Sequence, residues 1–240
     1  MGMPRGDPKL SFFRPFRQFE NAYPADWLAD LRQKLMSNPL LSASTLNARF
    51  AGTLGFSVAF RREGVEQVEA NFPEFAVYLR DVLHPRGNAF FLNPLVIYEG
   101  GHVAPHVDRS LKSWTVPDMP PYPLKVSVLY VDVPSGLAGG QLILHRYRPL
   151  ATVQPRTNLL IQFQGKLRHE VTEVDRREIK DPRISLVCEH YRLPPEQLER
   201  VPVFHVRTKR PFEDFLSAAL GDEAQEASSI DAGTLPRVSS

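Results

Sequence analysis

Apolar positions in the first third of the chain recur at helical spacing. Over residues 25–36, Trp27, Leu28, Leu31 and Leu35 fall on one face, and Pro24 sits where a first-turn proline is tolerated, so an amphipathic helix is expected. Between residues 40 and 69 the period shortens: Phe56, Val58 and Phe60 alternate with small or polar neighbours, as in a strand. Phe75, Leu79 and Leu83 then return at four-residue steps, predicting a second helix over 72–83 that ends before Pro85. Residues 1–88 therefore read as a mainly helical layer packed against something larger.

From Ala89 to Leu193 the texture becomes a series of short β-branched and aromatic runs broken by Gly, Pro, Asn and Asp. The runs cover 89–98, 125–133, 141–145, 151–153, 158–163, 170–174 and 184–191. Many short strands with regular turn signals argue for a β-sandwich or barrel rather than βαβ units, and a double-sheet jelly roll closes such a set. Residues 109–123 interrupt the pattern with Pro117, Pro120, Pro121 and Pro123 beside Trp114 and Tyr122, which predicts an ordered loop over one end. Beyond Leu193 a C-terminal extension is expected: a helical turn at 194–198, a strand at 201–206, a helix at 211–220 and a polar, flexible tail at 221–240. The expected fold is thus mainly β with flanking helices, in a single domain spanning 1–240.

Composition narrows the classes. Apolar content of 42% and charged content of 23% are ordinary for a water-soluble globular domain. The formal net charge is +2 with both signs interleaved, which does not predict nucleic-acid binding, although a mildly basic surface suits a small anionic substrate. No run of about 18 apolar residues exists, so no membrane span is expected. Residues 1–10 are polar and lack the apolar core of a signal peptide. Cys188 is the single cysteine, so neither an intrachain disulfide nor an all-cysteine metal site can form, and a reducing cytoplasmic setting is expected.

The candidate chemistry centres on His106-Val107-Asp108. In an extended segment, residues two apart project to one face, so the imidazole and the carboxylate can converge on one ion. His169, after the turn marked by Gly165 and before a strand, is the best third ligand. Two histidines and one carboxylate make the facial triad of non-haem iron(II) oxygenases, while zinc in a hydrolytic site could use the same set. Arg183 and Ser185 follow, two apart and therefore on one face; an arginine fork beside a hydroxyl suits a terminal carboxylate. The keto acid end of 2-oxoglutarate chelates iron and its far carboxylate needs such an anchor. His102 reads as a loop or supporting residue, since three ligands suffice, and His84, His145, His190 and His205 read as structural or surface residues. Cys188 reads as a packed apolar side chain, and Gly139-Gly140 as a tight turn.

These elements occur in a telling order: Tyr98-Glu-Gly-Gly-His102-Val-Ala-Pro105-His106-Val-Asp108, Val128-Leu-Tyr130-Val, Gly139-Gly140-Gln-Leu142, His169-Glu-Val and Arg183-Ile-Ser185. The order resembles the prolyl 4-hydroxylase-like branch of the iron(II)/2-oxoglutarate oxygenases, over roughly the central hundred residues. The resemblance implies a double-stranded β-helix with iron(II) on His106, Asp108 and His169, Arg183 on the far carboxylate of 2-oxoglutarate, and Tyr98 and Tyr130 lining the cofactor pocket. It implies O2 as co-substrate, ascorbate as an accessory reductant, and either a small molecule or a peptide as the substrate. Asp108 fills the position that a halogenating relative leaves for chloride, which favours hydroxylation. His102 stands where the family has an aromatic residue. A zinc hydrolase or isomerase and a non-catalytic β-sandwich binding module are the competing readings.

Overall fold

The computed structural model describes residues 14–43, 49–115, 121–175 and 181–208. The elements run β1 (Phe16–Phe19), α1 (Ala25–Ser37), β2 (Ser42–Ala43), β3 (Phe50–Gly55), β4 (Ser57–Arg61), α2 (Val65–Asn71), α3 (Ala76–Val82) and β5 (Ala89–His106). They continue β6 (Lys125–Asp132), β7 (Leu142–His145), β8 (Pro149–Val153), β9 (Leu159–Phe163), β10 (Arg168–Val171), β11 (Arg183–Tyr191), α4 (Pro195–Leu198) and β12 (Phe204–Arg207). Among the described residues these strands join in one antiparallel, curled sheet whose main path is β1-β9-β6-β11-β5-β10-β7-β8. This is the mainly β, jelly-roll architecture expected from the run of short strands.

The spine is β5. Its first half pairs with β11 from Ala89↔Tyr191 to Ile97↔Arg183. Its far end pairs with β10 through Val103↔Val171 and His106↔His169. The strand passes from one side of the roll to the other at Gly100 and Gly101. Gly100 has φ 73°, a region open to glycine at little cost. Opposite it, Gly52 has φ 61°, and a Cβ there would meet the Gly101 Cα at 2.9 Å. The two backbones can cross this closely only because neither carries a side chain.

Alternation along the strands sorts apolar residues into two cores. On the outer face Leu129, Ile184, Leu186 and Cys188 pack against Leu31 and Leu35 of α1 and Phe75 and Leu79 near α3. On the inner face Leu95, Ile97, Val128, Tyr130 and Ile161 form a second cluster with Leu142, Leu144 and Val171. Each fully buried aliphatic or aromatic side chain contributes about 1.5–3 kcal/mol. Tyr78 reaches through the outer core and donates to the carbonyls of Ser127 and Leu186, so its hydroxyl is paired although it is fully buried.

Several boundaries differ from the expectation. The second helix, expected over 72–83, is shortened to α3 because Pro73 begins a 3-10 turn, Pro73–Phe75, ahead of it, and α2 lies almost entirely in a stretch read as strand-like. β1 and β3 are too short or too rich in small residues to announce themselves. β5 runs through His106 instead of stopping at Tyr98, because its glycines bend the strand without ending it. β10 begins at Arg168, so His169 lies within the strand rather than before it. The expected helix at 211–220, the tail at 221–240 and the polar start at 1–10 lie outside the described residues. No helix among the described residues is long and apolar enough to cross a membrane.

Candidate metal and anion-binding site

Strand parity builds the site. Arg183, Ser185, Val187 and Glu189 share the inward face of β11, Val126, Val128 and Tyr130 that of β6, and Asn93 and Leu95 that of β5; all of them line one cavity of about 550 Å³. His106 and His169 line it too, and they are direct cross-strand partners at the β5–β10 seam. That register brings their ring centroids to 4.4 Å. Asp108, two residues past the end of β5, closes the group: its Oδ1 is 3.2 Å from His106 Nε2 and its Oδ2 is 3.4 Å from His169 Nε2.

The ring orientations are fixed from behind. His106 Nδ1 donates to the Ala104 carbonyl at 2.8 Å and His169 Nδ1 donates to the Leu167 carbonyl at 3.1 Å. A carbonyl can only accept, so each Nδ1 carries a proton and each Nε2 is left facing the Asp108 carboxylate, the ring atom available to a metal. Phe50 and Phe163 pack edge-on against the two imidazoles at centroid distances of 5.6 and 4.9 Å. All three residues are buried. Burial alone would lower the pKa of His106, but the hydrogen bond and charge of Asp108 outweigh it and the net direction is up. Burial would raise Asp108, but the two histidines win and its carboxyl lies below its ordinary value. For His169 burial dominates and the imidazole is held neutral-leaning. Two imidazole nitrogens and a carboxylate oxygen within 4.8 Å of one another suit a divalent transition metal such as iron(II) or zinc.

Arg183 is the second feature. It is only 2% exposed, its guanidinium lies 4.7 Å over the Tyr130 ring, and its Nε and Nη1 have no hydrogen-bond partner. The Tyr130 hydroxyl and Asp108 Oδ2 are likewise buried and without hydrogen bonds. A buried guanidinium with unpaired donors costs several kcal/mol, which an anionic ligand would offset. Ser185, on the same strand face, donates to the Leu95 carbonyl at 3.4 Å. A planar carboxylate matches the arginine fork, and the cavity joins this fork to the His–Asp–His group. The residues therefore fit both a metal and a dicarboxylate ligand.

Of the residues singled out from sequence, His106, Asp108, His169, Arg183, Ser185 and Tyr130 line the cavity together. Tyr98 does not. It is 36% exposed and outside the cavity, because Ile97 is the residue of that pair facing inward and strand alternation turns Tyr98 away. His102 sits opposite Ala51 and also lies outside the cavity lining. His190 is structural, held between Ser127 and the His84 backbone, and His145 pairs with Glu170 at 2.7 Å. The described part of the 109–123 loop starts as a 3-10 turn, Ser110–Ser113, with Arg109 stacked 4.1 Å over Tyr122. Residues 116–120 of that loop, with Pro117 and Pro120, lie outside the described residues.

Sequence reasoning missed Glu189. Its carboxylate accepts from Ser110 N and from Ser110 Oγ at 2.5 Å, and it is bonded to the Tyr191 hydroxyl. Burial, reinforced by the charge of Asp108, pushes its carboxyl up to about 8. The signal was present, since Glu189 continues the inward series of Arg183, Ser185 and Val187 at steps of two.

No family model and no curated protein matches the chain. Solved structures do. A Pseudomonas putida prolyl-4-hydroxylase superimposes with a TM-score of 0.50 at 19% identity, covering 76% of this chain and 95% of that one. A Trichoplax adhaerens prolyl hydroxylase, in complex with a hypoxia inducible factor oxygen degradation domain peptide, superimposes with a TM-score of 0.50 at 13% identity, covering 78% and 87%. At these identities the likeness establishes the fold: the chain has the double-stranded β-helix of these proteins.

Proposed function

We propose that the chain is an iron(II)- and 2-oxoglutarate-dependent oxygenase that hydroxylates an unactivated C–H bond of an amino acid, small metabolite or natural-product intermediate. The observation that carries this reading is the pairing, in one cavity, of a His–Asp–His group with a buried arginine whose donors are unpaired. A hydrolytic zinc site needs the first feature but leaves the second without work.

In this reading His106 Nε2, the Asp108 carboxylate and His169 Nε2 hold the metal, and Arg183 takes the far carboxylate of 2-oxoglutarate, with Ser185 and the Tyr130 hydroxyl beside it. Iron(II) with 2-oxoglutarate and O2 supplies oxidising power sufficient for a C–H bond, with succinate and CO2 as products. The protein's own contribution is positional. The Ala104 and Leu167 carbonyls orient both imidazoles, Val128, Leu95 and Val187 give the cavity an apolar wall, and Asp108 would supply the carboxylate ligand in place of a halide. The peptide bound by the Trichoplax neighbour makes a protein side chain the runner-up substrate for this chain.

Aerobic incubation with iron(II) and 2-oxoglutarate, with amino acids and peptides supplied in turn, tests the reading by succinate release. Iron-dependent succinate that is lost in His169→Ala and on chelation is expected. Succinate formation indifferent to iron would overturn it.

A further inference from the structure

The cavity carries more positive charge than the proposed cofactors use. Arg49, Arg109, Lys112, Arg168 and Arg207 line it in addition to Arg183, against only two acids, Asp108 and Glu189. If the oxygenase reading holds, iron(II) and Arg183 are balanced by the 2-oxoglutarate dianion and Asp108, leaving Arg109, Lys112, Arg168 and Arg207 without an acidic partner among the described residues. Glu189 does not answer them. Its carboxylate is already engaged by the Ser110 N–H and hydroxyl and by the Tyr191 hydroxyl.

The five cations are not one basic run meeting the cavity by chance. They come from the approach to β3, the loop after Asp108, β10 and β12, segments far apart in a chain whose whole formal charge is only +2. Among the described residues Arg109, Lys112, Arg168 and Arg207 enter no salt bridge. Arg109 is held over the Tyr122 ring, and the others stand at the exposed rim. Cations gathered around a concave, low-dielectric opening attract and orient an anion.

We propose that the molecule oxidised carries an anionic group, a carboxylate, phosphate or sulfate, which this rim holds while the carbon to be oxidised faces the metal. The inference rests on the oxygenase reading for where substrate lies.

The probes are trifluoroacetate and trifluoroacetamide, close in shape and different in charge, observed by fluorine NMR with the manganese(II)-loaded protein at saturating 2-oxoglutarate. The bound manganese broadens the line of any probe near it. Saturable broadening of trifluoroacetate, about tenfold greater than for the amide, is expected. It should fall to the level of the amide in Arg168→Glu/Arg207→Glu and return in Arg168→Lys/Arg207→Lys. Equal broadening of the two probes, or broadening of trifluoroacetate unchanged by charge reversal, overturns the proposal. So does broadening of trifluoroacetate that occurs only when 2-oxoglutarate is left out, because that places the anion at Arg183. Loss of 2-oxoglutarate affinity in the charge-reversed variant, with no probe effect, would mean that the rim serves the co-substrate instead. Absence of any 2-oxoglutarate binding by the wild type would instead defeat the oxygenase reading itself, and the two failures are thereby separate.

Discussion

The two faces of β11 are built from adjacent residues and do opposite things. Ile184, Leu186 and Cys188 point outward into the helix-backed core, where even the Tyr78 hydroxyl is hydrogen-bonded. Arg183, Ser185, Val187 and Glu189 point inward to the cavity, where Arg183 Nε and Nη1, the Tyr130 hydroxyl and Asp108 Oδ2 go without hydrogen bonds. In the outer core the fully buried Tyr78 hydroxyl is paired, and among its described residues the Tyr23 hydroxyl alone is buried without a hydrogen bond. The inner face concentrates unpaired donors and acceptors where they cost most, and such a concentration marks a ligand site rather than a packing error.

Arg183→Leu should separate the faces most sharply. Removing two charge-assisted hydrogen bonds, at about 1.5–3 kcal/mol each, predicts a rise of about a hundredfold or more in the Michaelis constant for 2-oxoglutarate. The same variant should unfold no earlier than the wild type when cofactors are absent, since it removes a buried unpaired charge. Chemical denaturation alongside succinate kinetics checks both halves. An equal loss of stability and activity would erase the distinction.

Leu186→Ala, one strand face away, should reverse the pattern. The residue is fully buried among the helices, so a loss of about 2–5 kcal/mol in unfolding free energy is expected, with the Michaelis constant for 2-oxoglutarate unchanged in the folded fraction.

Lys125, at the start of β6, gives a smaller, pH-dependent effect. Its ammonium donates to the Val82 carbonyl at 2.8 Å, and burial lowers its pKa from 10.5 to about 8. Between those values the unfolded chain binds more protons than the folded one, so stability should rise with pH across that window; below about 8 the burial cost is fully present. Lys125→Met should remove this rise, as seen in the difference between wild-type and variant denaturation midpoints collected from pH 8 to 10. A slope that survives the substitution assigns it to another group.

Tyr98→Ala should do least. The side chain is exposed and outside the cavity, so 2-oxoglutarate affinity should stay within about twofold of the wild type, a few tenths of a kcal/mol. A tenfold loss would return Tyr98 to the pocket.

The site was legible in the sequence because its determinants are local in parity. His106 with Asp108, and Arg183 with Ser185, are pairs two apart, and each pair reaches the cavity together. The fold class was legible from the spacing of short apolar runs. What escaped was set by tertiary context. β1 has only four residues and becomes a strand through pairing with β9, and β3 is shaped by the glycine crossing at Gly52 and Gly101. The bend at Gly100 carries β5 on to His106, where turn chemistry suggested an end. Tyr98 lies across that bend from His106, and strand alternation turns it outward from the cavity. The cationic rim could not be read at all, since its members lie in four segments that only the rolled sheet brings together.

The most direct test of the account joins the two halves of the site. Iron(II) is added anaerobically to the metal-free protein with 2-oxoglutarate, and the weak visible metal-to-ligand absorption is followed for the wild type, Asp108→Ala and Arg183→Leu. The account predicts a saturable band in the wild type, a band needing far more 2-oxoglutarate in Arg183→Leu, and greatly weakened iron binding in Asp108→Ala. No band in the wild type, or a band indifferent to both substitutions, would contradict it.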